Sequence, residues 1–162
     1  MLDKVIKQFL AVGKEKELEF ARALWENMGG EIELAPEYDD IHCHIDVYWN
    51  EYGIDVKAMK KTSRNDNQTN ENIHWVELKN VNGKKGWVFG DCDYIAFETE
   101  DYWLLVTPKR IISLLEQKVT DFSIVSDSSL LYRYYQRVGR EDIIVKVKTM
   151  DLLVIANKIF TK

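Results

Sequence analysis

Residues 42–61 read HCHIDVYWNEYGIDVKAMKK. Two apolar runs flank Asn50-Glu51-Tyr52-Gly53, a strong turn signal. Paired as an antiparallel hairpin with Asn50-Glu51 at its tip, they bring Trp49 opposite Tyr52, Asp46 opposite Asp55 and His44 opposite Lys57. Side chains alternate along a strand, so Ile45, Val47 and Trp49 share an apolar face with Ile54, Val56 and Ala58. The other face carries His44, Asp46, Asp55 and Lys57. Like charges directly opposed destabilise a sheet, so this pair of aspartates calls for a compensating cation. Mg²⁺ takes a few carboxylate oxygens and keeps much of its water, which suits Asp46 and Asp55. Lys57 then lies near a metal-bound water and a scissile phosphate, where an ammonium orients the nucleophile or stabilises developing charge. The plain alternative is a solvated hairpin face with cross-strand ion pairs.

At 162 residues the chain is expected to form one domain, 1–162, with a core of ordinary size. Its 46% hydrophobic and 30% charged residues fit a folded globular protein, not a disordered one. The opening MLDKVIKQFLAVGKEKELEF lacks a signal-peptide hydrophobic region, and no stretch is long and apolar enough to span a bilayer. Cys43 and Cys92 have no metal-ligand spacing and read as free thiols in a reducing cytoplasm. The net charge of −5 argues against non-specific coating of nucleic acid. A metal-dependent nuclease remains open, because its own acids depress the total and it needs only a local basic rim.

Residues 3–28 read as helix interrupted at Gly13. In KELEFARALWENMGG the helical angle gathers Leu18, Ala21, Leu24, Trp25 and Met28 on one arc, with Phe20 at its edge. Glu17 falls within that arc, whereas Glu19, Arg22 and Glu26 face away. An acid on the core side of a helix is costly unless it is paired or coordinates something; the alternative is a Glu reaching out at the helix start, favoured there by the helix dipole. Gly29-Gly30 ends the helix. A short extended piece, EIELAP (31–36), leads through Asp39-Asp40 into the hairpin.

After a polar loop (62–72), IHWVELKNV (73–81) carries a second acid-x-Lys, Glu77-Leu78-Lys79. If this strand pairs beside the one holding Asp55, three strands form a meander with acids on each. The working set is then either Asp46 with Asp55-x-Lys57 or Asp55 with Glu77-x-Lys79. The first needs only a tight hairpin and is preferred, with Glu77, Lys79 and His44 as additional candidates. The turn NGKKGWVFG follows, then strands in DYIAFET and DYWLLVTP, then a helix from Lys109 to Lys118 announced by Pro108. LYRYYQRVGRED (131–142) interleaves Arg133, Arg137 and Arg140 with tyrosines, a pattern that suits phosphates and bases and equally suits an amphipathic segment with its rings packed inward. Lys60, Lys61 and Arg64, just past the first motif, are further candidate nucleic-acid contacts. The tail reads as a period-two strand and a short helix. His42 and His44, with Cys43 and His74, form no convincing zinc set, and no serine-nucleophile or glycine-rich phosphate motif is present.

Helix with an inward acid, antiparallel strands carrying Asp…Asp-x-Lys, more strands and a helix: this order resembles the PD-(D/E)XK nuclease superfamily, and within it the small phage and archaeal Holliday-junction resolvases. The matching pieces are Glu17 in KELEFARAL, Asp46 in HIDVYW, and Asp55 with Lys57 in GIDVKAMK; WVELKNVNGKKGWVFGDCDYIAFE is similar to the stretch that follows the core motif in small phage-type members. Ile45 stands where the motif's proline would be. The resemblance implies an α/β (α+β) restriction-endonuclease-like core, an N-terminal helix followed by a mixed central sheet with flanking helices. It further implies a phage-like endonuclease hydrolysing DNA rather than RNA, branched DNA included, as a homodimer. Asp46, Asp55 and the backbone carbonyl of Val56 would hold Mg²⁺ or Mn²⁺, Glu17 would complete the shell, and Lys57 would position the attacking water. The rival class is a non-catalytic nuclease-fold protein that binds a protein or nucleic-acid partner.

Overall fold

A computed structural model describes residues 2–61 and 65–162, so Arg64 lies outside the described residues. Gly13, at φ +71°, breaks the N-terminal helical stretch into α1 (Leu2–Ala11) and α2 (Glu15–Met28). Gly29 then ends α2, its N–H returning to the Trp25 carbonyl. The buried stripe of α2 is Leu18, Phe20, Ala21, Ala23 and Leu24. Trp25 and Met28, expected inward, are 47% and 41% exposed. Phe20 decides the rotation. Its ring is fully buried, edge-on to Trp103 at 5.1 Å and against Phe160 at 6.0 Å, which turns the far end of the arc outward.

After β1 (Ile32–Leu34) comes α3 (Glu37–Cys43), where an extended lead-in and the start of a strand are expected. Pro36 precedes it, and Glu37, Asp39 and Asp40 crowd its first turn, where acids favour a helix start. His44 caps α3 in the left-handed conformation (φ 56°), with its N–H on the Asp39 carbonyl. The predicted hairpin arm therefore shrinks to β2 (Val47–Trp49), and His44 does not face Lys57. Ile45 is redirected too, joining a different core from that of Val47 and Trp49.

The rest of the chain supplies β3 (Tyr52–Lys57), β4 (Ile73–Lys79), a 3-10 turn (Trp87–Phe89), β5 (Tyr94–Glu98), β6 (Tyr102–Val106) and α4 (Pro108–Lys118). These are followed by β7 (Ile124–Val125), β8 (Tyr134–Tyr135), β9 (Ile143–Lys148), α5 (Thr149–Ile155) and β10 (Lys158–Thr161). The fold is α+β, with five α-helices among the described residues. One mixed sheet runs β1-β2-β3-β5-β6-β10, with β3 and β5 parallel and its other pairs antiparallel. A second runs β4-β9-β8-β7.

The expected meander of β2, β3 and β4 does not form. β3 takes β5 as its second neighbour, and β4 pairs antiparallel with β9 in the other sheet. Alternation of burial holds over the first half of β4, where His74 and Val76 are buried and Trp75 is half-buried, and it fades at the irregularity between Glu77 and Lys79, where Leu78 is half-buried as well. Alternation in β4 serves a face, and either sheet offers one. β10, absent from the sequence reading, closes the first sheet on β6 through Phe160, which reaches the core under α2.

Two apolar layers result. On one face of the first sheet, α1 and α2 cover Val47, Trp49, Ile54, Val56, Ala96, Trp103 and Leu105. On the other, Ile95, Phe97, Leu104 and Val106 meet Val76, Val145 and Val147 of the second sheet, together with α4 and α5. No helix among the described residues is long and apolar enough to cross a membrane.

The rotation of α2 is testable. Phe20→Ala is expected to cost about 3–5 kcal/mol, whereas Met28→Ser should stay within about 0.5 kcal/mol of wild type. Urea unfolding of the two variants checks this; the reverse ranking would mean that the helix sits in the orientation the periodicity suggested.

Candidate functional site

The hairpin between β2 and β3 forms in the expected register: Trp49 pairs with Tyr52, Tyr48 with Gly53 and Val47 with Ile54. Asn50, at φ 53°, takes the left-handed position at the tip that asparagine tolerates better than most residues. One step past the last ladder pair, Asp46 comes opposite Asp55. The ladder itself ends irregularly there, with Asp46 N–H donating to the Ile54 carbonyl at 2.9 Å.

Both aspartates are buried, at 8% and 2% exposed, and they face each other closely enough for the Asp46 charge to act on Asp55. Asp46 Oδ2 accepts the Val56 N–H at 2.8 Å. Its Oδ1 accepts from Lys14 Nζ at 3.2 Å, and that ammonium also donates to Asp40 Oδ2 at 2.6 Å. Asp55 Oδ1 pairs with Lys57 Nζ at 2.8 Å. Asp55 Oδ2 is buried without a hydrogen-bond partner among the described residues. Burial above all pushes the Asp55 carboxyl up to about 8; the Lys57 charge opposes the shift, and the Asp46 charge and contact reinforce it. Lys57 Nζ also lies over the Trp87 ring, 4.6 Å from its centre.

Glu17 arrives from α2, half-buried. Its carboxyl is raised by burial first, with the charges of Asp46 and Asp40 adding to the effect against its backbone hydrogen bond and Lys14. The four predicted residues, Glu17, Asp46, Asp55 and Lys57, thus share one electrostatic neighbourhood. Val56 belongs to it as well. In an extended strand the N–H and C=O of one residue point the same way, so the Val56 carbonyl faces the side on which its N–H meets Asp46.

Sequence reasoning missed Lys14 and gave Asp40 no role. Lys14 immediately follows the Gly13 break and lies three residues before Glu17, a spacing that places both on one side of a helix; that was the available signal.

The other candidates fall elsewhere. Glu77, on β4, reaches the site only indirectly, its Oε1 accepting from the Trp87 N–H at 3.3 Å. Lys79 bridges to Lys85 along the turn. The alternative set of Asp55 with Glu77-x-Lys79 would need β3 and β4 side by side, and they lie in different sheets. His44 packs beside Gly90, where an added Cβ would stand 2.9 Å from the His44 Cβ. His42 and Cys43 lie on α3, and His74 is buried against Phe97, so the histidines do not gather. Lys60 and Lys61 are exposed just past β3. Arg133 is held by Asp121 at 3.1 Å and by Ser123, and Arg137 by Asp142 at 2.5 Å; Arg140 is exposed. All three arginines lie at or near β8, in the second sheet.

Among the described residues no three His, Cys, Asp or Glu side chains converge into a ready metal-ligand set. The lysines Lys14 and Lys57 neutralise the aspartates instead. A cavity of about 530 Å³ between α1, α2 and β1, lined by Lys4, Arg22, Trp25 and Glu33 among others, contains none of the predicted site residues.

The buried carboxyl has a consequence for stability in the metal-free protein. Asp55 ionises near 8 in the fold against an ordinary 3.8, so between those values the folded chain holds more protons than the unfolded one. Its contribution is therefore fully present below the ordinary value and is lost as pH rises through 8. Asp55→Asn should raise the melting temperature in EDTA, by about 1–3 kcal/mol equivalent above pH 8, with the gap closing toward pH 4. Thermal melts across that range check it; a gap independent of pH would contradict the assignment.

No protein-family model, curated protein or solved structure gives a significant match to this chain.

Proposed function

We propose that the protein is a Mg²⁺- or Mn²⁺-dependent endonuclease of the PD-(D/E)XK type, acting on DNA rather than RNA. The observation that carries this reading is the pair of buried aspartates, Asp46 and Asp55, opposed across the hairpin, with one oxygen, Asp55 Oδ2, left without a donor among the described residues. Two apposed carboxylates with a spare buried oxygen are costly on their own. Anionic oxygens are also what a hard divalent cation takes. The order α2, β1, β2 and β3, with an acid on the helix and two on the hairpin, supports a restriction-endonuclease-like core.

In this reading Asp46, Asp55 and the Val56 carbonyl would hold the cation, with Glu17 as a further ligand. When bound, the ion would supply Lewis acidity at the phosphate. Lys57, held between Asp55 and the Trp87 ring, would orient the attacking water and stabilise charge on the phosphoryl oxygens. Lys14 lies across the site as a second ammonium for the phosphate. Two free cysteines, Cys43 and Cys92, fit a reducing cytoplasm. A homodimer, proposed by analogy with resolvases, would place two such sites for paired cuts.

One observation favours the second reading, a non-catalytic nuclease-fold protein: Lys14 and Lys57 already balance the aspartates, and no three-ligand set stands ready among the described residues. Incubation with supercoiled plasmid, a four-way junction, single-stranded DNA and RNA, each with Mg²⁺, Mn²⁺ or EDTA, separates the two. The nuclease reading expects metal-dependent nicking of DNA, abolished by EDTA and at least about 100-fold slower in Lys57→Ala. DNA bound but left intact with either metal would favour the second reading.

A further inference from the structure

We propose that β1 takes an extended peptide as an added strand, and that this peptide reads apolar, basic, apolar at three successive positions. None of the residues assigned above to metal or phosphate takes part.

β1 is a free edge of the six-stranded sheet. Its hydrogen bonds to β2 fix which way each residue faces. The Glu31 carbonyl accepts the Asn50 N–H at 2.8 Å, the Ala35 N–H donates to the Asp46 carbonyl at 3.0 Å, and Glu33 pairs with Tyr48 between them. Glu31, Glu33 and Ala35 therefore turn their backbone groups toward β2, and Ile32 and Leu34 turn theirs to the open edge. The N–H and C=O of both residues stand there without a partner among the described residues. Such a row is a template for another strand. The opposite edge is less open, because at β10 the Thr161 carbonyl already accepts from Asn27 Nδ2 at 3.0 Å.

The side chains of β1 divide in the same rhythm. Ile32 and Leu34 pack toward the core beneath α1 and α2. Glu33 alternates to the other face, that of its partner Tyr48, and is exposed. The cavity of about 530 Å³ lies on the helix side, and its wall runs unbroken along residues 30–34, so it follows the strand itself. Trp25 lines it with a ring 47% exposed, and Lys4 and Arg22 supply its positive charge.

A strand laid on this edge has its side chains sorted for it. In the antiparallel ladder that uses all the open groups, one peptide residue exchanges bonds with Ile32 and the next but one with Leu34; both send their side chains to the cavity face. Apolar groups suit that face, and Lys4 and Arg22 repel basic ones. The residue between stands opposite Glu33 at the closer, non-hydrogen-bonded spacing, on the face that Glu31 shares, where a basic side chain is favoured. A second copy of the chain fits poorly: the two-fold pairing of β1 with itself that satisfies the same groups sets Glu33 directly against Glu33. Recognition of this kind draws affinity from the main chain and specificity from alternate side chains.

The test is an amide NMR titration of the isotope-labelled protein with three capped peptides. The first is Ser-Thr-Val-Lys-Val-Thr-Ser, the second carries Glu in place of Lys, and the third is the first with both valine amides N-methylated. The lysine peptide is expected to shift the Ile32 and Leu34 amides and the Trp25 indole, and to bind about tenfold tighter than the glutamate peptide. N-methylation should weaken it at least about tenfold, because it removes the two donors aimed at β1. Glu33→Lys should reverse the preference between the first two peptides at an unchanged melting temperature, Glu33 being exposed. No shift at Ile32 and Leu34 with the lysine peptide, equal binding after N-methylation, or a lysine preference that survives Glu33→Lys would each overturn the proposal. So would a dimer closed through β1 that the lysine peptide fails to displace. The N-methylated arm needs only the wild-type protein and decides the matter even if the variant does not fold.

Discussion

Two buried aspartates face each other across the β2–β3 hairpin, and much of the surrounding structure serves to make that tolerable. A buried carboxylate beside another is opposed by desolvation and by like-charge repulsion at once. Asp46 is relieved by the Val56 N–H and by Lys14, which Asp40 holds in place. Among the described residues Asp55 is relieved on one oxygen only, by Lys57, and Lys57 is itself steadied by Trp87. Removing any one of these supports leaves the pair costlier, so the hairpin, the α1–α2 corner, α3 and the 3-10 turn are tied to one another through charge as well as packing.

The sheet order explains how distant segments arrive there. β3 and β5 run parallel, and parallel neighbours need a crossover. Here the crossover leaves the first sheet, lays β4 against β9 in the second, and returns through the turn that carries Trp87 and Phe89. The excursion supplies the Trp87 ring as a partner for Lys57. On the opposite face, Phe20, Trp103 and Phe160 fix α2, and with it Glu17.

The parts of this arrangement that local pattern controls were legible in the chain. Period-two alternation and the Asn50-Glu51 tip suffice for the β2–β3 register, because slipping one strand by a residue would turn its own apolar pair, Val47 and Trp49 or Ile54 and Val56, away from that of its partner. Helical angle placed Glu17 on the inner side of α2. What local pattern does not control was missed. Alternation in β4 says that one face is buried, not which sheet buries it, so the choice of β5 as the neighbour of β3 was out of reach. The sequence reading leads 37–43 into the hairpin through Asp39-Asp40 and starts the strand stretch at His42. The stronger signal was Pro36 followed by three acids in the first turn of α3. Helical angle gathers Trp25 and Met28 onto the apolar arc of α2 but does not fix the rotation that the burial of Phe20 sets, and β10 is short and selected by its pairing with β6. Lys14 escaped because its partners, Asp40 and Asp46, are 26 and 32 residues away.

In the proposed function Asp46 and Asp55 jointly grip a divalent cation. A crystal soaked in Mn²⁺ and measured for anomalous scattering tests this directly. The expected result is one strong peak between the two carboxyl groups, about 2.1 Å from an oxygen of each, with Lys14 drawn off Asp46. A map with no peak there, with Lys14 and Lys57 still closed on the aspartates at high Mn²⁺, would contradict it.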